Sequence, residues 1–540
     1  MTDRSISRAE WLAVLAFCVA LSALAVSWSW RHGAMLNYGD AVAHLHIARR
    51  VFDARYPGLK QLGSVWLPLP HLLLIPFVAV YGWWANGFAG VIPSALAYVA
   101  GCAGIYRLAR RWLEPAAAAI ALAFFALNAN LLYLQTTAMT EPLFLSELIW
   151  CVVWLVEWRS ALDHEPAARI ERRLWPIALV LVAAIFTRYD GWILALLAWT
   201  AVGITLLRRD QLHSRTFWLA SAVVVAAPLT WFTYNALVFG DWLDFARGPY
   251  SAKVIELRTA TPGAWPPHPG WHDPWVSLIF FVKTGEMDAT ALAWGNKVLV
   301  LSLLGTMGAW FGLRREAFAW ALLLWLPVPF YAYSIAYGSV PIFLPVWWPH
   351  SWYNTRYGME MLPALALGLA MVGQFVLGAV REFKGAWTKY AVGCLLALAA
   401  WNAWKVAVEH PLVYVESTKN IESRRPLEEE IPPTLRAVLA ERPGGMVLMK
   451  TSVYPEVVAL TGIPLRQTIN ESDRAIYTDA LAAPAEHAAV VLAFDGDDVA
   501  RAVKAHPAGL RPVRRFVFQR QPSATVYVSD TSTLNKAPSR

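Results

Sequence analysis

Charge is scarce in this chain of 540 residues: 16% are Asp, Glu, Lys or Arg, whereas 57% are hydrophobic. Soluble globular domains carry about 25% charged residues, and a mean hydropathy of +0.41 excludes an ordinary soluble protein. Cysteine is scarce as well. Its four copies (Cys18, Cys102, Cys151 and Cys394) all lie within apolar runs, without CxxC or His-linked spacing. That excludes a disulfide framework and gives no sign of a thiolate metal site. No GxGxxG or P-loop follows a strand-like run, so no nucleotide site is signalled. There is no internal repeat, and no small-x-small cleavage site precedes the Trp28-Ser29-Trp30-Arg31 end of the first apolar run. With Arg4 and Arg8 ahead of it, that run is read as an uncleaved first span.

Tryptophan, by contrast, is abundant, with 29 copies, and indole rings favour the water–lipid interface. The net charge is +8, but the basic residues collect at the ends of apolar runs. That pattern sets membrane topology and argues against nucleic-acid binding. A spanning helix needs about 20 mostly apolar residues. Stretches of that kind run over 11–29, 88–108, 116–134, 142–158, 174–188, 191–207, 217–238, 291–312, 317–335, 358–380 and 387–408. With the N-terminus cytoplasmic, the loops 107–112, 159–173, 208–215, 314–315 and 381–389 face the cytoplasm, and each carries clustered Lys or Arg. The opposite loops hold aromatic, Pro, His and acidic residues. A further span over 66–84 would invert every later loop. That stretch also contains Pro68, Pro70 and Pro76, and it is read as an interfacial or partly buried helix.

These spans predict an α-helical integral membrane protein with about eleven transmembrane helices and a small C-terminal α/β domain. Residues 1–409 form the membrane part, and its loop 31–87 carries interfacial helices. Residues 410–530 form the α/β domain on the extracytoplasmic side. Strands are expected over 445–450, 488–494, 515–519 and 525–528, and helices over 433–441 and 497–506. Residues 531–540 read as a disordered tail. The cell (inner or plasma) membrane is the expected location.

Five clusters of chemistry-bearing residues fall on the extracytoplasmic side. Asp40 and His44 stand one turn apart on a helix over 38–53, with His46 nearby and Arg49 in reach. Glu141 opens a span at Thr140-Glu141-Pro142. Arg188 and Asp190 flank Tyr189 in a polar turn. The loop 239–290 holds Asp241, Asp244, Arg247, Lys253, His268, His272 and Asp273. His350 and Arg356-Tyr357 lead into the tenth span. Each also has a plainer reading. Asp40 could cap its helix, Glu141 could complement a helix dipole, and Arg188 with Asp190 could be a structural ion pair. Arg356 could be an interfacial anchor, and His268 with His272, a candidate metal pair, stand in a Pro-rich loop that disfavours helical i,i+4 geometry. Their coincidence on one side favours chemistry, because ionisable groups at membrane depth need partners or a function. Arginines suit a phosphate. A carboxylate suits removal of an acceptor's proton.

The same residues resemble the GT-C superfamily of polyprenyl-phosphate-dependent glycosyltransferases. Its members include protein O-mannosyltransferases, the lipid A aminoarabinose transferase and the catalytic subunit of oligosaccharyltransferase. The likeness is carried by Gly39-Asp40, by Gln61 through His71, by Met139-Thr140-Glu141-Pro142-Leu143, by Thr187 through Gly191 and by Asn354-Thr355-Arg356-Tyr357 with Pro363. It implies that Asp40 is the base or metal-side carboxylate and that Glu141 is the acidic residue of the second loop. It also implies that Arg49, Arg188 and Arg356 contact the donor phosphate. His44, Asp190, His272, His350 and Tyr357 are further candidates for substrate or metal, and a divalent cation (Mg, Mn or Zn) would fall to Asp40, His44 and Glu141. Two positions depart from the relatives: Ala41 follows Asp40 where a second acid stands in the aminoarabinose transferase and the mannosyltransferases, and Trp66-Leu67-Pro68 replaces the aminoarabinose transferase's Glu-Lys-Pro triplet.

The resulting expectation is an inverting membrane glycosyltransferase. It takes a sugar from a polyprenyl-phosphate donor and passes it to a protein, lipid or glycan acceptor. The alternative is a multi-span lipid or solute transporter. Transporters place their charges at the bilayer midplane and are commonly built from repeats, neither of which the sequence displays.

Overall fold

The computed structural model describes residues 6–259, 266–291, 293–313, 315–409 and 411–530. Arg4, Arg314 and the 531–540 tail lie outside the described residues. Among the described residues, seven helices are long and apolar enough to cross a membrane. They contain or match the expected spans at 11–29, 88–108, 191–207, 217–238, 317–335, 358–380 and 387–408. The chain is thus an α-helical integral membrane protein.

Four other expected spans are helical but shorter or more polar. The 116–134 run divides into Pro115–Ala126 and Ala129–Leu134. Between them Asn128 turns its side-chain oxygen onto the Leu131 amide at 3.0 Å, a local bond that competes with helix continuation. Glu141–Ala161 carries Glu147, Glu157 and Arg159. Leu174–Thr187 is 14 residues long and Gly295–Gly312 is 18.

Where a loop was expected over 239–290, the chain forms the largely buried helix Pro274–Ala289. Asp273 caps it by accepting from the amides of Trp275 and Val276 at 3.0 Å. Pro274 then occupies the first turn, where its missing N–H is harmless. Lys283, Glu286 and Asp288 hide this helix from a hydropathy reading.

The chain forms two compact units. Among the described residues, one is built from 6–32, 64–70 and 91–416, the other from 33–63, 71–90 and 417–530. In the first, glycines set the closest helix approach. A Cβ on Gly368 would lie 2.3 Å from the Ser302 carbonyl oxygen, and one on Gly305 would lie 2.0 Å from that of Gly368. Ser302 also donates to the Leu365 carbonyl at 3.0 Å. Small residues of this kind let spanning helices touch backbone to backbone. Gly368→Ala is therefore expected to cost about 1–3 kcal/mol by overpacking and to lower the thermal unfolding temperature in detergent. Gly378→Ala, with nothing within 4 Å, is expected to leave it unchanged.

In the second unit a five-stranded sheet has the order β2-β1-β3-β5-β4, with β1 Val447–Leu448, β2 Thr468–Ile469, β3 Val490–Phe494, β4 Leu510–Phe516 and β5 Ala524–Ser529. β1 pairs in parallel with β2 and β3. β5 runs antiparallel to β3 and β4. Every residue of β3 is buried, which accounts for its unbroken apolar run. Leu448, Ile469, Val491, Val499 and Val503 share its core.

Strands β1, β3 and β5 fall where the sequence placed them. β4 begins earlier than the expected 515–519, because it is an edge strand carrying Arg511, Arg514 and Arg515 and lacks an apolar alternation. The helix expected over 433–441 is the end of a longer one, Leu412–Ala440, which continues through Pro426, Pro432 and Pro433. Buried Leu427, Ile431, Leu435 and Val438 hold its inner face.

Candidate active site

The first unit brings five of the expected residues into one buried ionic cluster. Its centre is Arg188, in the turn between Leu174–Thr187 and Asp190–Leu207. That turn is possible because Gly191 has no side chain: a Cβ there would lie 2.1 Å from the Ala184 carbonyl oxygen. The guanidinium of Arg188 fans out over four elements. Nε reaches Asp190 Oδ2 at 3.2 Å, and Nη1 reaches Thr140 Oγ1 at 3.2 Å and Glu141 Oε1 at 3.3 Å. Nη2 donates to the Tyr331 hydroxyl at 2.7 Å and lies 3.2 Å from Glu360 Oε1.

Arg356 approaches from the opposite side. Its Nε donates to the same Glu141 oxygen at 2.9 Å, and its Nη1 lies 3.3 Å from Glu416 Oε1. Glu141 is 1% exposed and joins the buried Arg356 to the half-buried Arg188. Tyr357 lies between them, its ring 5.0 Å from each guanidinium and stacked on Tyr331 at 5.2 Å.

The turn that presents Arg356 is fixed by backbone. Asn354 takes a left-handed conformation with φ 55°, and Glu416 accepts from the amides of Asn354 and Thr355 at 3.0 and 2.8 Å. Around two arginines the protein thus places four carboxyl groups, from Glu141, Asp190, Glu360 and Glu416. Unpaired buried charge costs several kcal/mol per ion, which is why each guanidinium is held by more than one acid. The plainer reading of Glu141 as a dipole partner is insufficient, because it bonds both arginines. Arg356 is no interfacial anchor, because it is buried.

Sequence reading missed Tyr331, Glu360, Glu416 and Thr140 as parts of this cluster. Glu360 had a signal: it stands four residues after Arg356, on the same helical face, within the apolar Met359-Glu360-Met361 stretch. Tyr331 had none within its aromatic-rich span. Its hydroxyl accepts from Arg188 Nη2 and donates to Glu360 Oε1 at 2.8 Å. Tyr331→Phe should cost about 1–3 kcal/mol, the price of leaving buried polar partners unsatisfied, read as a lower thermal unfolding temperature.

The second unit holds Asp40, half-buried in the first turn of Gly39–Asp53. On the same helix, buried His44 meets His71, Nδ1 to Nε2, at 2.8 Å. Arg49 does not serve Asp40. Its Nε bonds Asp53 at 2.8 Å and its Nη1 bonds the Val78 carbonyl at 2.7 Å. The rings of Phe52, Tyr81 and Trp84 enclose it at 5.0–5.3 Å. A guanidinium enclosed in this way holds the fold together, and the donor phosphate is not assigned to it.

The remaining histidines lie elsewhere. His350 is exposed, with Nδ1 at 3.0 Å from the Pro345 carbonyl. His272 lies tilted against Trp271, with ring centroids 3.9 Å apart, while His268 pairs with Glu256 at 3.0 Å, so the two do not form a metal pair. Among the described residues, no three of His, Cys, Asp and Glu gather in a way that could hold a metal ion, and no step is routed through one here.

No protein-family model matches the chain, and no curated protein matches it significantly. Solved structures do. ArnT from Cupriavidus metallidurans bound to undecaprenyl phosphate aligns with a TM-score of 0.53 and 13% identity, over 97% of this chain and 99% of that one. The fold is that of ArnT. The apo form of ArnT aligns equally well, at 0.53 and 15% identity over 95% and 98% of the two chains. The Archaeoglobus fulgidus oligosaccharyltransferase, tethered to an acceptor peptide, gives 0.45 and 12% over 91% and 69%. The ArnT likeness covers both units of this chain and bears out the GT-C resemblance at the level of fold.

Proposed function

We propose that the chain is a membrane glycosyltransferase that takes its sugar from a polyprenyl-phosphate donor. The observation that carries this reading is the Arg188–Glu141–Arg356 bridge, two guanidinia held by one shared, buried carboxylate in a protein with the ArnT fold. The undecaprenyl phosphate bound to ArnT supports a donor of the same class.

The donor phosphate engages the guanidinia by exchanging with a carboxylate partner, which planar, multi-donor arginine accommodates better than lysine. The acceptor's hydroxyl or amine attacks the anomeric carbon as the bond from that carbon to the phosphate oxygen breaks. The electron pair leaves with the polyprenyl phosphate, whose growing negative charge the two arginines stabilise. The acceptor's proton passes to the carboxylate of Asp40. One direct displacement inverts the anomeric centre. The basic loops support a cytoplasmic N-terminus, with the reaction on the extracytoplasmic face of the cell membrane.

The test is transfer in vitro from a panel of radiolabelled polyprenyl-phosphate sugars to lipid, glycan and protein acceptors, with the products separated. At least one donor should release polyprenyl phosphate and label an acceptor. A well-folded protein that turns over none of the panel, yet moves labelled lipid or solute across proteoliposomes, would establish the transporter instead.

A further inference from the structure

Within the unit formed by 33–63, 71–90 and 417–530 lies a small cavity that the transfer reaction does not use. Its apolar wall includes Leu45, Trp84 and Leu460, and His46, Glu428 and Glu456 supply its polar groups. About 40 Å³ of it is open to the centres of water-sized molecules. A single water needs roughly 10–15 Å³ by that measure, so the space suits a ligand of a few heavy atoms.

Two of these polar groups are unsatisfied. His46 is 3% exposed and Glu456 4%, yet among the described residues neither ring nitrogen of His46 nor Oε1 of Glu456 has a hydrogen-bond partner. One guanidinium serves both acids: Arg424 Nη1 lies 3.5 Å from Glu428 and 3.9 Å from Glu456. Arg425 acts on Glu428 as well, whereas buried Glu456 shares its Arg424 contact with Glu428, and burial makes an incompletely compensated charge costly. Burial keeps the His46 imidazole well below its usual range, with Arg50 adding to the effect. The ring is therefore neutral and offers one acceptor nitrogen. Burial pushes Glu456 up to about 7, with Arg424 opposing and Glu428 adding to the rise.

We propose that this cavity binds a small primary ammonium ion with a short apolar stem. The ammonium donates to Glu456 Oε1 and to the unprotonated nitrogen of His46, and supplies the missing positive charge. The stem lies against Leu45, Trp84 and Leu460. Protons compete for the same carboxylate. The other groups around it are Arg424 with Glu428, Tyr454, which feels the Glu456 charge, Arg50, which acts on His46, and Tyr81, whose hydroxyl bonds the Ala459 carbonyl at 3.0 Å. Tyr81 stays neutral between pH 6 and pH 8, because burial pushes it up to about 12.

The experiment titrates n-propylamine into the full chain in detergent, by calorimetry at pH 6 and pH 8, with 1-propanol as the uncharged control. Millimolar binding of the amine is expected, as for a ligand of this size. Its affinity should be about tenfold higher at pH 8, as the carboxylate becomes ionised. Glu456→Gln should weaken binding by at least about tenfold and remove the pH dependence, since charge-assisted hydrogen bonds are the strong ones. Ala85→Leu, which fills the cavity and leaves Glu456 in place, should abolish binding. Thermal unfolding without ligand verifies each variant's fold, and Ala85→Leu decides the matter if Glu456→Gln does not fold. Equal binding of propanol and propylamine, unchanged binding by either folded variant, or no binding by the folded parent would overturn the proposal.

Discussion

Arg356→Ala is expected to lower sugar transfer by at least about a hundredfold, the scale seen when one group stabilising transition-state charge is removed. It should also destabilise the protein by about 3–5 kcal/mol, because breaking a buried pair leaves uncompensated charge. Arg356 bonds Glu141 through Nε and lies beside Glu416 through Nη1. Glu141 keeps Arg188 after the substitution, so the loss should fall toward the lower end of that range. Arg356→Lys separates the two effects. It retains the charge, so the unfolding temperature should stay close to that of the parent. It loses the planar fork, so transfer should still fall strongly. Transfer assays and thermal unfolding on the same detergent preparations read both. Parental transfer by a folded Arg356→Ala protein would remove Arg356 from the donor site.

Asp40→Asn should reduce transfer by about 10²–10⁴-fold, the usual contribution of a general base, while membrane insertion and unfolding temperature change little. Asp40 is half-buried in the first turn of its helix. The stabilising role it loses there is a carboxylate near a helix N-terminus, worth about 0.3–1 kcal/mol. Asn is nearly isosteric and cannot accept the proton. Full activity of the purified variant would sink the assignment of Asp40 as base. A matching loss of stability would instead point to the helix-capping role.

Much of the cluster around Arg188 was legible before any coordinates. Glu141, Arg188, Asp190 and Arg356 stood out because a charged residue beside an apolar run must find a partner or a task. Which partner it finds was not legible. Arg49 and Arg356 have the same kind of signature, an arginine near an acid and several aromatics. One is enclosed by Phe52, Tyr81, Trp84 and Asp53. The other faces Glu141 across 215 residues of chain. Tyr331 could not be read at all, since one aromatic in a span rich in them carries no mark of the hydroxyl that joins Arg188 to Glu360. The buried helix Pro274–Ala289 was hidden for the opposite reason: its charged residues lowered the hydropathy that would have announced it.

The sequence by itself determined that this protein lives in a membrane, where most of its spanning helices run and that a sheet follows them. Hydropathy and alternation are local properties, summed over a few turns or a few residues. Only the tertiary structure decided that Glu141 joins two arginines, that Arg49 belongs to the scaffold and that His46 and Glu456 line one cavity. Those pairings join residues far apart in the chain. They depend on burial, because removal from water is what compels each charge to take a particular partner.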